Sequence, residues 1–138
     1  MKCKYLLTTC LCLIFAPLAT AENVKNLSNQ GQQAQKQGNY TQAAQLYKQA
    51  CNSGDGKGCF GLGFLYRKGY GVTQNEAQAI ELWGKSCQYG YPQGCAILGV
   101  LYQDGKGVKQ NYAQAVQLYE KACNGGDVGG CLNLGVLY

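Results

Sequence analysis

The sequence contains no histidine and few charged residues. The absence of histidine excludes a Ser–His or Cys–His catalytic pair and the histidine ligand sets of zinc hydrolases. Charged residues make up 14% of the 138 positions and give a net charge of +5, with no run of lysine or arginine. So mild and scattered a charge excludes nucleic acid as a partner. We expect neither a metal ion nor a cofactor.

Long apolar runs are absent except at the N-terminus. Residues 1–21 begin with two lysines, continue with an apolar stretch from Tyr5 to Phe15, and end on the small-residue site Ala19-Thr20-Ala21. This order is typical of a secretory signal peptide, cleaved here after Ala21, and the stretch is too short to span a bilayer comfortably. We expect a secreted or periplasmic protein without a stable membrane anchor.

Cysteine, in contrast, is abundant. Removal of the signal peptide would reduce nine cysteines to six, and an even number in an exported chain predicts disulfides. The six cysteines fall in three pairs with seven residues inside each pair: Cys51 and Cys59, Cys87 and Cys95, and Cys123 and Cys131.

The cysteines also mark an internal repeat of 36 residues. Copies begin at Asn39, Asn75 and Asn111. The first half of each copy has apolar or small residues at i, i+3, i+4 and i+7, which predicts one face of a helix. In each copy a Gln follows the first Asn by three residues, which predicts a capping box.

The second half of each copy predicts another helix, with two leucines and a tyrosine around an internal glycine. The glycines are Gly63, Gly99 and Gly135. A glycine inside a helix costs about 1 kcal/mol relative to alanine. Its recurrence predicts a neighbouring helix whose bulky Tyr or Trp needs the space.

Residues 24–38 form an opening half-repeat without cysteine, and from Leu27 to Ala50 the small and large residues match the tetratricopeptide pattern. We therefore predict an all-α fold, a right-handed α-solenoid of stacked helix hairpins stapled by disulfides. The domain would cover residues 22–138, with a tetratricopeptide-like hairpin at 24–52, hairpins at 57–88 and 93–124, and the start of a further repeat at 129–138.

The third copy stops at Tyr138, which aligns with Tyr66 and Tyr102 of the earlier copies. Each of those two tyrosines is followed by a turn and another helix. We expect either a truncated chain or a last helix that pairs with another molecule.

The pattern LG-x-L-Y-x-x-G-x-G-V, followed by A-x-x-L-(W/Y)-x-K-(A/S), resembles that of Sel1-like repeats. With its cysteines in fixed places, the stretch 27–138 is similar to the secreted cysteine-rich Sel1-repeat proteins of bacteria, the Hcp type. The resemblance implies the solenoid fold. It also implies penicillin binding and weak β-lactamase activity, for which members of this type are described.

The spacing of the cysteines predicts bridges between consecutive cysteines: Cys51–Cys59, Cys87–Cys95 and Cys123–Cys131. Glycines between the two cysteines permit a tight reversal from one helix into the next. Antiparallel helices pack about 8–10 Å apart, and small residues near the turn allow the roughly 4.4–6.8 Å between Cα atoms that a disulfide needs. A zinc site would need converging pairs, and a redox pair would be C-x-x-C, so both alternatives fit the spacing less well.

The residues do not supply the chemistry of a serine β-lactamase, which uses an S-x-x-K motif. The serines beyond the signal peptide are Ser28, Ser53 and Ser86, and none has lysine three residues on. We interpret them as helix-end or surface residues. A β-lactamase-like hydrolase is kept as the alternative function, with no catalytic residue assigned.

Binding has a clearer physical basis, because stacked hairpins curve and their first helices line a concave surface. Phe60 and Phe64 share a helix face beside Arg67 and Lys68, and such a group could grip a peptide or a carboxylate-bearing ligand. Gln103 and Asn133 are the further candidate ligand-binding residues. The alternative is that the phenylalanines pack against a neighbouring hairpin and the charges are solvated. We predict a scaffold for a peptide, a partner protein or a cell-envelope component, with a β-lactam as an additional candidate.

Overall fold

A computed structural model describes residues 20–138 of the chain. Residues 1–19 of the predicted signal peptide lie outside the described part. The described part forms seven α-helices and no strand. The helices are α1 (Ala21–Lys36), α2 (Tyr40–Asn52), α3 (Gly56–Lys68), α4 (Glu76–Gln88), α5 (Pro92–Asp104), α6 (Tyr112–Asn124) and α7 (Val128–Leu137). None of these seven helices combines the length and the apolar character needed to cross a membrane.

Each helix packs against the next one along the chain, and the helices with odd numbers also contact each other in series. Thus α1 contacts α3, α3 contacts α5, and α5 contacts α7, whereas α2, α4 and α6 form no comparable series within residues 20–138. The array therefore curves around the layer of odd helices, which forms its inner face. The predicted all-α solenoid stapled by disulfides is confirmed.

Three disulfides close the junctions α2–α3, α4–α5 and α6–α7. They join Cys51 to Cys59, Cys87 to Cys95 and Cys123 to Cys131, with 4.5 to 4.6 Å between the Cα atoms of each pair. A glycine before the second cysteine permits this approach: a Cβ added at Gly58 would lie 2.6 Å from the Cβ of Ala50. Small residues on both helices thus set the distance that a disulfide requires.

Glycines on α3 and α5 leave space for a large aromatic side chain of the helix that follows each of them. A Cβ added at Gly63 would lie 2.6 Å from Nε1 of Trp83, and one at Gly99 would lie 2.6 Å from Cε1 of Tyr119. The close packing predicted for these two glycines is therefore present. At Gly135 the prediction is wrong, because a Cβ there would meet nothing within 4 Å. No described helix packs over that glycine.

The predicted asparagine caps form at two of three helices. The side chains of Asn75 and Asn111 accept hydrogen bonds of 3.0 Å from the backbone N–H groups of Gln78 and Gln114. Asn39 makes no such bond. A short turn from α1 leads into α2 and leaves Asn39 at φ −83° and ψ 68°, away from the extended backbone that a cap requires.

Candidate functional site

A groove of about 480 Å³ lies between α1 and α3 on the inner face of the array. We call it the aromatic groove, because six aromatic side chains contribute to its lining: Tyr40, Tyr47, Phe60, Phe64, Tyr70 and Tyr91. Its polar lining consists of Gln32, Gln35, Lys36 and Lys57. The groove therefore combines a large apolar contact area with a few polar groups, as ligand sites commonly do.

Two aromatic pairs form parts of the groove wall. The rings of Tyr40 and Tyr70 stack with 4.7 Å between their centroids, and those of Phe60 and Tyr91 lie 5.4 Å apart in a tilted arrangement. Gly71 allows the first pair, since its φ of +70° is left-handed and a Cβ there would overlap the backbone of Tyr40. Both pairs join residues from different helices or loops, which fixes the ring positions.

Tyr47 reaches the groove from α2, with its ring held between two glycines. A Cβ added at Gly31 or at Gly61 would come within 2.7 Å of the ring. The hydroxyl of Tyr47 donates a hydrogen bond of 2.8 Å to Oε1 of Gln35. Burial, followed by the proximity of Tyr91, raises the pKa of Tyr47 to about 12. The residue is thus a neutral, fixed hydrogen-bond donor rather than a titrating base.

The charged side chains that line the groove are both lysines. Nζ of Lys57 donates hydrogen bonds to Oδ1 of Asn29 at 2.8 Å and to Oε1 of Gln32 at 3.1 Å, so the ammonium group crosses from α3 to α1. Lys36 is exposed at the end of α1. No aspartate or glutamate belongs to the groove lining within the described residues. The groove therefore presents positive charge beside aromatic surface.

The structure divides the six residues predicted to bind a ligand. Phe60 and Phe64 line the aromatic groove. Lys68 lies at its edge, with Nζ 5.9 Å from the centre of the Phe64 ring, while the guanidinium of Arg67 covers the ring of Trp83 at 5.8 Å. Arg67 is therefore partly occupied with packing of the solenoid.

Gln103 and Asn133 lie away from the groove, at the hydroxyl of Tyr119. That hydroxyl donates a hydrogen bond of 2.6 Å to Oε1 of Gln103. Burial, and then the charge of Asp104, raises the pKa of Tyr119, while a hydrogen bond with Asn133 opposes the rise. Gln103 thus holds a core tyrosine, Asn133 lies near the same hydroxyl, and neither residue joins Phe60 and Phe64 in one site.

Sequence reasoning missed Tyr40, Tyr70 and Tyr91 as members of the site. Tyr70 lies within the glycine-rich turn after α3, and Tyr91 directly precedes α5. Neither residue lies on a periodic helix face, which was the signal used for Phe60 and Phe64. An available signal was the replacement of aspartate by Tyr91 at the position that Asp55 and Asp127 occupy in the neighbouring copies.

The interpretation of the serines as helix-end or surface residues is wrong for Ser28, which lies in the middle of α1, whereas Ser86 lies in the last turn of α4 but not at the surface. Ser28 and Ser86 are fully buried, whereas Ser53 is exposed at the end of α2. Ser86 replaces the alanine found at the equivalent position of the other copies, and serine is small enough to fit there. The hydroxyl of Ser86 donates a hydrogen bond of 2.7 Å to the carbonyl of Gly56. Ser28 donates to the carbonyl of Lys25 at 3.0 Å. These two hydroxyls are bonded and enclosed.

Comparison with known families identifies the repeats. A family model, "Sel1 repeat", matches residues 26–55, 56–91 and 92–127. HcpC of Helicobacter pylori strain J99 is 38% identical over 65 residues, which cover 47% of this chain and 22% of HcpC. HcpE of the same strain is 48% identical over 42 residues, or 30% of this chain and 12% of HcpE. Both names carry a provisional beta-lactamase label, and the matched part is a minor share of either relative.

Solved structures show the same architecture over most of the chain. A Sel1 repeat protein from Oxalobacter formigenes superposes with a TM-score of 0.78 and 26% identity, covering 93% of this chain and 54% of the other. The antigen c5321 of uropathogenic Escherichia coli gives a TM-score of 0.75 and 27% identity over 87% of this chain and 27% of that one. The cysteine-rich protein HcpB of Helicobacter pylori gives 0.64 and 28%, covering 83% and 98%.

Proposed function

Because the chain belongs to the Sel1 repeat family and to its cysteine-rich Hcp type, we propose that it is an extracytoplasmic scaffold that binds a peptide segment in the aromatic groove. The segment would belong to a partner protein or to a peptide component of the cell envelope. The observation that carries this proposal is the groove itself, with six aromatic side chains and two lysines on the inner face. Solenoids commonly bind extended partners on such faces.

The rigidity of the groove supports binding without a large ordering cost. The Cys51–Cys59 disulfide closes the junction between α2 and α3, and the buried ring of Tyr47 ties α2 to both walls. Aromatic rings fixed by such contacts lose little side-chain freedom when a ligand arrives. Aromatic side chains in pockets are also the residues on which binding energy concentrates.

Export is part of the proposal. Three disulfide-bonded cysteine pairs are typical of a protein from an oxidising compartment, and the structural relative HcpB is likewise named a cysteine-rich protein. We place the protein outside the cytoplasm, after cleavage of the signal peptide behind Ala21. Intact mass of the exported protein would show a chain starting at Glu22 with all six remaining cysteines oxidised.

Hydrolysis of β-lactams, which the names of the Hcp relatives suggest for those proteins, finds no comparable support in this site. Among residues 20–138, the groove lining contains tyrosine, lysine, glutamine, glycine and phenylalanine but no serine or carboxylate. The hydroxyl of Tyr47, which reaches this groove, stays protonated because its pKa is raised to about 12. Binding therefore remains the function that the described residues support.

A selection from a random peptide library, displayed on phage and panned on the oxidised protein, tests the proposal. We expect the recovered peptides to lose about tenfold or more in affinity when Phe64 is replaced by alanine. The matched control is Tyr89→Ala, which removes another exposed aromatic ring outside the groove. Equal binding to both variants, each shown by circular dichroism to be folded, would place the binding surface elsewhere.

A further inference from the structure

The two walls of the aromatic groove differ in chemistry. The α3 wall is aromatic, with Phe60 and Phe64, whereas the α1 wall is polar, with Gln32, Gln35 and Lys36. Lys57 belongs to α3, but its ammonium group is bonded to Asn29 and Gln32 and therefore lies against the α1 wall. The positive charge of the groove is thus concentrated on one side and its apolar surface on the other.

The ammonium groups keep their charge uncompensated within residues 20–138. No carboxylate lies within ion-pair distance of Lys36 or Lys57 in this part of the chain. The bonded partners of Lys57 are neutral amide oxygens, and an ammonium group has three N–H donors, so one remains for a ligand. Burial, and then the charge of Asp55, raises the pKa of Tyr91. Oδ1 of Asp55 is turned toward the start of α3, where it accepts from the N–H of Lys57 at 3.0 Å.

The spacing along both walls matches an extended peptide. Phe60 and Phe64 lie one helical turn apart, about 6 Å along the axis, and so do Gln32 and Lys36. In an extended chain, side chains at i and i+2 point to the same side about 6.5 Å apart, and those at i+1 and i+3 point to the other side. A strand lying along the groove would therefore direct alternate side chains to the aromatic wall and to the cationic wall.

From this arrangement, and resting on the proposed function, we infer that the groove takes an extended acidic peptide in which aromatic or long apolar residues alternate with aspartate or glutamate. The apolar residues would contact Phe60 and Phe64. The carboxylates would pair with Lys36 and Lys57. Opposite charge across the interface selects the partner and disfavours peptides of the same sign of charge.

The test uses four short peptides that carry a fluorescent label and an amidated C-terminus. The first contains Phe-Glu-Phe-Glu between glycine and serine residues. The second replaces both glutamates by glutamine, the third replaces them by lysine, and the fourth has the order Phe-Phe-Glu-Glu. Fluorescence polarisation with the oxidised protein at low salt gives the affinities. We expect the first peptide to bind about tenfold more tightly than each of the other three.

Variants assign this preference to the lysines. In Lys36→Gln/Lys57→Gln the first peptide should lose its advantage over the glutamine peptide, to within about twofold, because the carboxylates no longer meet an ammonium group. The matched control is Lys48→Gln/Lys109→Gln, which removes the same charge at exposed positions outside the groove and should keep the advantage. If the double variant does not fold, the single variant Lys36→Gln replaces it, because Lys36 lies at an exposed helix end, and the advantage of the first peptide should then decrease.

The outcomes separate this inference from the proposed function. Equal binding of the glutamate, glutamine and lysine peptides, lost in Phe64→Ala, would overturn the acidic ligand but keep the groove as a peptide site. Equal binding of Phe-Glu-Phe-Glu and Phe-Phe-Glu-Glu would overturn the alternation. Binding of none of the four peptides would overturn the inference, and failure of the library selection in addition would overturn the proposed function.

Discussion

Replacing Gly63 by alanine should destabilise the solenoid, although alanine is the better helix former. The new Cβ would lie 2.6 Å from Nε1 and 2.9 Å from Cδ1 of Trp83, a side chain with no exposed surface. A rigid, enclosed indole cannot move aside freely, and such overpacking costs about 1–3 kcal/mol. The gain in helix propensity offsets about 0.5–1 kcal/mol of this cost.

Gly84→Ala is the matched control, because Gly84 lies within α4 and a Cβ there would meet nothing within 4 Å. This substitution should raise the free energy of unfolding by about 0.5–1 kcal/mol. The difference between the two variants then isolates the overpacking cost of about 1–3 kcal/mol. Urea unfolding of the oxidised proteins, followed by circular dichroism, measures it.

The same pair of variants reports on the groove. Nε1 of Trp83 donates a hydrogen bond of 3.3 Å to the carbonyl of Phe60, so a displaced indole disturbs a residue of the aromatic wall. Peptide affinity should therefore fall in Gly63→Ala and stay unchanged in Gly84→Ala. Equal stability of the two variants would refute the proposed packing of Trp83 against Gly63.

Three further predictions concern stability and catalysis. Replacing both Cys51 and Cys59 by serine should lower the free energy of unfolding by about 2.6 kcal/mol, the chain-entropy value for a short closed loop, and a chemical-denaturation midpoint that does not move would contradict it. Because the folded pKa of Tyr47 is raised from 10.0 to about 12, its contribution to stability is present below pH 10 and is lost as the pH rises from 10 toward 12. This contribution amounts to about 2.7 kcal/mol at most. Urea titrations between pH 10 and pH 12 should show that the free energy of unfolding falls less steeply with pH in Tyr47→Phe than in the original protein. Identical slopes of the free energy of unfolding against pH would count against the assignment. Pure oxidised protein should not turn over a chromogenic cephalosporin, and turnover that survives repeated purification but disappears on unfolding would establish a hydrolase.

The helices, the disulfide pairs and the close packing at Gly63 and Gly99 follow from the sequence because they depend on local periodicity and on fixed spacing. A helix face repeats every few residues, and a disulfide across a short turn needs little knowledge of the rest of the fold. The missing cap at Asn39 has a different origin. It depends on the backbone conformation that the preceding turn imposes on Asn39, and the turn after α1 is shorter than the turn after α3.

The groove could be predicted only in part, because its members come from elements distant in sequence. Phe60 and Phe64 share one helix, so periodicity finds them, whereas Tyr70 and Tyr91 reach the groove from turns. Ser86 escaped prediction for a similar reason. Its burial depends on contact with Gly56, thirty positions away, through a hydrogen bond of 2.7 Å.

One position of the inner helices has a packing role in every hairpin. Gln35 accepts from Tyr47, Arg67 covers Trp83, and Gln103 accepts from Tyr119. The shorter turn after α1 hides this equivalence from an alignment with a constant period. Gln103 and Arg67 looked like free surface residues because each was considered without the aromatic ring it holds.

Under the proposed function, ligand preference would depend on inner-face positions that are free of this packing role and differ between hairpins. Phe60 and Phe64 of α3 correspond to Ala96 and Val100 of α5, which are smaller and not aromatic. Lys68 ends α3, whereas Asp104 lies at the equivalent position at the end of α5 and carries the opposite charge. The surface between α1 and α3 is thus both more aromatic and more positive than its counterpart one hairpin on. A ligand with alternating apolar and acidic residues would therefore be held at the first of these two surfaces and rejected at the second.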